Sequence, residues 1–184
     1  PRPFRRVARG VAGIQPRTVG RDEELRTLHA AYEEAFTQKR VVWAQLVGEA
    51  GVGKSRLLED VSDWIELRPE VVRFFRARAY SEDARQPFSL IRRMWFDRFQ
   101  IAEDAPLQQA ERKWVERFQE LGKTDDPEPA HALGLLIGLP FKDSPYVAGI
   151  RGDPAQVKGR AFVVSRELLT RIRVENPVRL LLED

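Results

Sequence analysis

Apolar residues recur at steps of three and four along much of this chain, which is the pattern of helices that bury one face. The first such stretch runs from Asp22 to Gln38, and Asp22 is its expected N-cap, with further acids in the first turn. A second stretch runs from Lys54 to Leu67 and ends ahead of Pro69. The spacing therefore predicts two amphipathic helices early in the chain.

Helical spacing returns in the middle and last parts of the chain. Three helices are predicted between Phe88 and Leu139, and Trp95 and Trp114 occupy apolar positions within them that favour packing in the core. A segment rich in glycine and proline follows over 141–154 and predicts turns. One long helix is then predicted over 155–174, ended by Asn176-Pro177.

Three short apolar runs have the composition of strands. Val41–Val47 is rich in β-branched residues and predicts a buried parallel strand, and Val71–Tyr80 partly alternates between apolar and basic positions. Val178–Leu182 is the third run, and two acids follow it at once. Strands separated by helices favour an α/β layered fold with a parallel sheet.

Composition excludes several classes of protein. Hydrophobic residues make up 42% of the chain and charged residues 32%, the balance of a domain with its own core. No apolar run approaches the roughly 20 residues that a membrane-spanning helix needs, and no signal peptide is recognisable. Cysteine is absent and only two histidines are present, which excludes disulfides and cysteine-based zinc sites. We expect no membrane partner and a cytoplasmic location.

Charge is distributed unevenly. The net charge is +3, and much of the excess lies in the first 18 residues, which combine arginine, proline and glycine without periodicity and predict a linker from an upstream domain. The rest of the chain is close to neutral, which disfavours a large nucleic-acid face. Because the chain starts without Met and stops directly after an apolar run, we expect it to be a piece of a longer protein.

The main chemical motif is a glycine-rich loop between the first predicted strand and the second predicted helix. Its residues match G-x-x-x-x-G-K-[ST] in full: Gly48, Glu49, Ala50, Gly51, Val52, Gly53, Lys54 and Ser55. Such a loop curls around a phosphate chain, with its backbone N–H groups and the helix N-terminus directed at the anion. Lys54 can reach the β- and γ-phosphates, and the Ser55 hydroxyl can coordinate Mg²⁺. Arg56 follows in the first turn of the helix and is counted with the nucleotide-binding residues.

The second motif is the pair Glu183 and Asp184 at the end of the third predicted strand. Acids at the carboxyl edge of a parallel sheet lie where ligands bind in open α/β folds. In P-loop ATPases such acids hold Mg²⁺ and polarise the attacking water. We expect Glu183 to face the metal and Asp184, or Glu183 itself, to orient water; the division of roles between them stays open.

A third segment, Val19 to Leu25, completes a resemblance. Together with Gly48–Ser55 and Asn176–Asp184, it is similar to successive landmarks of the AAA+-related signalling ATPases, the STAND-type NTPases, and in particular the Orc-like AAA ATPase module of bacterial regulators. The resemblance implies a three-layer P-loop NTPase fold with a helical insertion in the middle. Residues 19–184 would then be the N-terminal part of the ATPase domain, ending after the Walker B strand.

The resemblance also implies roles and partners. Val19, Gly20 and Arg21 would lie against the adenine and ribose of ATP. The family's metal-site acid is commonly Asp, whereas position 183 is Glu. The linker resembles one that follows a regulatory or nucleotidyl-cyclase domain, so the implied partners are that upstream domain, helical domains downstream and, with nucleotide bound, a second copy of the chain.

Three functions remain open at this point. The first is an ATP-dependent conformational switch with slow hydrolysis, weak in this fragment, inside a signalling or transcription-regulatory protein. The second is a DNA-associated ATPase of the origin-recognition or loader kind. The third is a scaffold that binds nucleotide without turnover, and GTP is an alternative to ATP in each case.

Overall fold

The structure is a computed structural model, and it describes residues 18–183, without the side chain of Ala84. The expected linker, apart from Thr18, and the candidate acid Asp184 lie outside the described residues. The chain divides into two compact units, the first ending at Pro69 and the second beginning at Glu70. Each unit is described by itself.

The first unit contains two helices that pack through aromatic side chains. Helix α1 spans Asp22–Gln38 and helix α2 spans Lys54–Glu66, close to the predicted bounds. Trp64 of α2 stacks on His29 of α1 with ring centroids 3.9 Å apart, and Tyr32 meets the same ring edge-on. Asp22 is the first helical residue and Arg21 the N-cap, so the predicted N-cap was one residue late.

The predicted strand Val41–Val47 is not a strand in the structure. The segment has no regular secondary structure, and Val41, Trp43 and Val47 are each more than three-quarters exposed. A strand exists only through hydrogen bonds to a neighbouring strand, and the sheet in the described part of the chain consists of two other segments. A run of β-branched residues favours strand geometry but does not provide a partner.

The second unit is organised by two parallel strands. Strand β1 spans Arg73–Arg78 and strand β2 spans Val178–Glu183, paired in register from Arg73 opposite Val178 to Arg78 opposite Glu183. Both strands and their parallel direction were predicted, but β1 is shorter than expected and β2 is one residue longer. Glu183 is therefore the last residue of β2 itself.

Helices occupy the chain between the two strands. A short 3₁₀ segment at Ser81–Arg85 precedes α3 (Ser89–Phe99), α4 (Leu107–Gly122), α5 (Glu128–Leu136) and α6 (Pro154–Glu175). The helical middle, the turn-rich segment after it and the long last helix are confirmed. Within the described ranges, no helix is both long and apolar enough to cross a bilayer.

The core of the second unit is aromatic. Trp95 and Trp114 are at most 1% exposed and meet edge-on, with ring centroids 5.9 Å apart, while Phe75 of β1 contacts Trp95. The indole N–H of Trp114 donates to the carbonyl of Ala130 at 2.7 Å, so its one polar atom is satisfied. The predicted core positions of both tryptophans are confirmed, and they join β1, α3, α4 and α5.

A tight turn after α5 is held by both packing and polar contacts. Phe141 has a positive φ of 43° and its ring stacks on His131 at 4.1 Å. A Cβ at Gly134 would lie 2.4 Å from the Phe141 ring, so the helix must carry glycine where the ring crosses it. His131 Nδ1, on helix α5, lies 2.6 Å from the hydroxyl of Ser144, so this histidine links the helix to the turn that follows it.

The long helix α6 begins with a side-chain cap. The Asp153 carboxylate accepts hydrogen bonds from the backbone N–H groups of Ala155 and Gln156, at 2.9 and 3.1 Å. Pro154 occupies the first helical position, where its missing N–H costs nothing. This Asp-Pro start defines the end of the turn-rich segment.

Replacing Trp114 by alanine should destabilise the protein by about 3–5 kcal/mol, because a fully buried ring and a buried hydrogen bond are both lost. Leu107→Ala on the same helix, where the side chain is 45% exposed, is the matched control. Urea unfolding followed by circular dichroism measures both. Similar losses for the two variants would contradict the central role of Trp114.

The protein should lose stability as the pH falls below the ordinary histidine value. Burial lowers the pKa of His131 from 6.5, against an opposing effect of Glu111 and Glu128, and burial likewise lowers the pKa of His29. The unfolded chain then binds more protons, so stability is fully present above about pH 6.5 and declines as the pH falls through the folded values. Unfolding midpoints measured between pH 8 and pH 5 test this. The dependence of the midpoint on pH should be smaller in the double variant His29→Gln/His131→Gln.

Candidate phosphate-binding site

The glycine-rich loop leads directly into helix α2. Gly53 is the N-cap of that helix with φ of 91°, and Gly51 has φ of 84°, both in the left-handed region that side chains other than glycine rarely adopt. The helix has no side-chain cap and no acid in its first turn. Its first N–H groups and its positive dipole end therefore remain available for an anion.

Lys54 and Ser55 open the helix at this point. The Lys54 ammonium donates to the backbone carbonyls of Gly48 and Glu49, at 2.8 and 3.0 Å, so it lies over the start of the loop. The Ser55 side chain belongs to an exposed residue. The ammonium, the hydroxyl and the loop glycines thus lie within one short segment, and their contact with nucleotide stays a prediction.

The segment Thr18–Arg21 lies against this loop and α2. Arg21 donates to the carbonyl of Val52 at 3.1 Å and pairs with Glu24 at 2.6 Å, which lowers the pKa of Glu24. Thr18 donates to the carboxylate of Asp60 on α2. The entry segment and the phosphate loop, which are 31 residues apart at Arg21 and Val52, are therefore neighbours.

Arg56 is engaged within its own helix. It pairs with Asp60 at 3.2 Å and Glu59 at 3.9 Å, and it also approaches the Thr18 hydroxyl at 3.4 Å. Its guanidinium thus links α2 to the entry segment. A direct contact of Arg56 with nucleotide stays a prediction, as do those of Val19 and Gly20; Val19 is 86% exposed.

Glu183 belongs to the second unit, at the carboxyl end of β2. Its side chain is only 6% exposed, and its carboxylate accepts from the Arg76 guanidinium on β1 at 2.6 Å. Arg76, which is itself partly exposed, thus neutralises the predicted metal-site acid. A metal-binding role of Glu183 stays a prediction, and it would require exchange of this cation for Mg²⁺.

The donor set fits a magnesium ion that arrives with phosphate. Among the residues described here, no three side chains of the histidine, aspartate or glutamate type gather into a metal site. Mg²⁺ is commonly held by one or two protein oxygens together with substrate phosphates and waters. The exposed Ser55 hydroxyl at the start of α2 is such an oxygen.

Two participants were not visible in the sequence. Arg76 was one of several arginines in the sequence, and only the structure shows that its side chain meets Glu183, two positions beyond its register partner Leu181. The Val52 carbonyl, as a backbone group, carries no sequence signal at all. The Gly-Arg pair at 20–21 was a signal for the entry segment, but its contact with the loop depends on tertiary packing.

Comparison with known proteins gives one match. The family model described as AAA ATPase domain matches residues 17–184, which is most of the chain. No curated protein and no solved structure matches significantly. The match includes the glycine-rich loop, the entry segment and both strands of the second unit.

Glu183→Gln should destabilise the protein by about 3 kcal/mol, because it leaves the partly buried Arg76 without its charge partner. The double variant Arg76→Met/Glu183→Gln should recover part of that loss, since it removes the orphaned charge. Chemical unfolding of Glu183→Gln, Arg76→Met and the double variant measures the coupling free energy between the two side chains. Strictly additive losses would show that the pair does not act as a unit.

Proposed function

Because the chain belongs to the AAA ATPase domain family, we propose that it binds ATP with Mg²⁺ at Gly48–Ser55 and hydrolyses it slowly. The observation that supports this most is the loop itself. Two glycines with positive φ lead into a helix that has no side-chain cap, and Lys54 and Ser55 open that helix. Phosphate recognition needs this combination of free N–H groups, a cation and a hydroxyl.

The residues of the first unit would divide the work at the phosphates. The backbone N–H groups of the loop bind the phosphate oxygens, and Lys54 moves from its carbonyl acceptors to the β- and γ-phosphates, where it offsets developing charge. The Ser55 hydroxyl holds Mg²⁺. When bound, the ion would supply positive charge that stabilises the transferring phosphoryl group.

Glu183, the last residue of β2, and Asp184, which follows it in the sequence, would act on metal and water. Glu183 would contribute a carboxylate to Mg²⁺, and Asp184, or Glu183 itself, would orient the attacking water. The Arg76–Glu183 pair limits this step, because Glu183 must give up a close ion pair to serve the metal. This competition supports the proposal that turnover is slow.

We further propose that the module is a switch of the STAND or Orc-like kind inside a signalling or transcription-regulatory protein. Residues 1–18 would connect it to a regulatory or cyclase domain, residues 19–184 would form the first part of the ATPase domain, and helical domains would follow. Contacts that depend on the γ-phosphate would supply the free-energy difference between the two states. The upstream domain rests on the resemblance of the linker, and the remaining partners rest on the resemblance of the entry segment, loop and last strand.

A nucleotide-binding scaffold without turnover is the second candidate. One observation favours it: the acid expected at the metal is already neutralised by Arg76. ATP and ADP would then stabilise the protein equally, whereas a switch requires them to differ.

The direct test is calorimetric titration of the full chain with ATP, ADP and GTP in the presence of Mg²⁺. Adenine nucleotides should bind, and Lys54→Ala should weaken ATP binding by about 2–3 kcal/mol because a charge-assisted contact to phosphate is lost. Lys142→Ala, an exposed lysine on the second unit, is the control and should bind as the wild type does.

The results of these titrations distinguish between the proposed functions. Loss of ATP binding in the Lys54 variant alone supports the phosphate site, and a preference for GTP would correct the nucleotide. Absence of binding by the wild type, in this chain and in any longer form of it, would refute the proposal. Release of phosphate from bound ATP, measured in the same samples, separates the switch from the scaffold.

A further inference from the structure

We propose that Arg21 is a positioning residue that fixes the orientation of the peptide group between Val52 and Gly53 in the phosphate loop. The inference rests on the proposed nucleotide site and deepens it. It assigns Arg21 an action through the loop backbone, in place of the contact with adenine or ribose that the family resemblance implies. The phosphate end of the nucleotide is therefore the part that should respond to Arg21.

Arg21 makes two hydrogen bonds through its guanidinium group. One terminal nitrogen of Arg21 donates to the Val52 carbonyl at 3.1 Å, and the other donates to Glu24 at 2.6 Å. The planar guanidinium fork thus joins a backbone oxygen of the loop to the first turn of α1. Both of its terminal nitrogens have protein partners.

Peptide geometry transmits this contact to the other side of the backbone. A trans peptide is planar, and its C=O and N–H point in opposite directions. Holding the Val52 carbonyl toward Arg21 therefore directs the Gly53 N–H away from Arg21. Arg21 thereby sets the direction of one of the loop's amide donors.

The loop needs such an external anchor because its own backbone is permissive. Val52 stands between Gly51 and Gly53, which have φ of 84° and 91° and no neighbouring atoms that would restrict a Cβ. Glycines on both sides allow the intervening peptide groups to rotate at low cost. The side chain of Val52 lies close to Gly48, since a Cβ added at Gly48 would lie 3.1 Å from Val52 Cγ2. The Val52 carbonyl is held by its hydrogen bond from Arg21.

The segment that carries Arg21 is itself fixed to the loop's helix. Thr18 donates to Asp60 of α2, and Arg56 approaches the same hydroxyl at 3.4 Å while pairing with Asp60. Gly20, with φ of 73°, makes the turn between this attachment and Arg21. The segment that carries Arg21 is therefore attached to α2 through Thr18 and to α1 through the Arg21–Glu24 pair.

The test compares two probes on four proteins. MgATP and inorganic tripolyphosphate with Mg²⁺ are titrated into the wild type, Arg21→Ala, Arg21→Lys and the control Arg26→Ala. Arg26 is an exposed arginine in the first turns of α1 whose only described hydrogen bond is to the backbone of Asp22. Thermal unfolding of each variant checks that the fold is retained.

Arg21→Ala should weaken both probes by a similar factor of about three- to tenfold, the range of a partly exposed hydrogen bond. Arg21→Lys should restore part of the affinity, since one ammonium can still donate to the Val52 carbonyl. Arg26→Ala should change neither probe. The ¹⁵N–¹H resonance of Gly53 should move in Arg21→Ala and stay in place in Arg26→Ala.

Two failures are distinguishable. If the wild type binds neither probe, the nucleotide site is wrong, and this inference falls with it. If the wild type binds both and Arg21→Ala weakens MgATP alone or neither probe, the site stands and the positioning role is refuted. An unmoved Gly53 resonance in Arg21→Ala would refute it in the same way.

Discussion

Parallel pairing of β1 and β2 is the constraint on which the second unit depends. Two parallel neighbours cannot be joined by a tight turn, so the chain must cross back over a long connection before the ladder can close. Here that connection carries helices α3 to α6, and their apolar faces meet Phe75 of β1 in the aromatic core. The ladder also brings Arg76 within reach of Glu183, two positions beyond its register partner Leu181, although the two residues are far apart in the sequence.

Periodic features of the sequence predicted most of the fold, because an amphipathic helix needs only its own apolar face to be recognised. The long helix α6 and the aromatic helices α3 and α4 are such cases. Val41–Val47 shows the limit: strand composition is local, whereas a strand requires a partner. The exact start of a helix is less predictable: at α1 the N-cap is Arg21 rather than Asp22, and no side chain caps the backbone N–H groups there.

The candidate site was predictable where a spacing rule applies and not beyond it. The glycines of the loop, Lys54 and Ser55 follow from the motif, since a turn that binds phosphate fixes their order. Their hydrogen-bond partners did not follow. The carbonyl acceptors of Lys54, the contact of Arg21 with Val52 and the pairing of Glu183 with Arg76 all depend on which backbone and side-chain groups tertiary packing brings together.

The crossing of Phe141 over Gly134 has a consequence for how this sequence can change over evolutionary time. The ring of one residue occupies the space that a side chain at the other would need, so neither position can be substituted freely alone. Relatives that carry a larger residue at 134 should carry a smaller one at 141, or a turn of different length. The two positions are expected to vary as a pair.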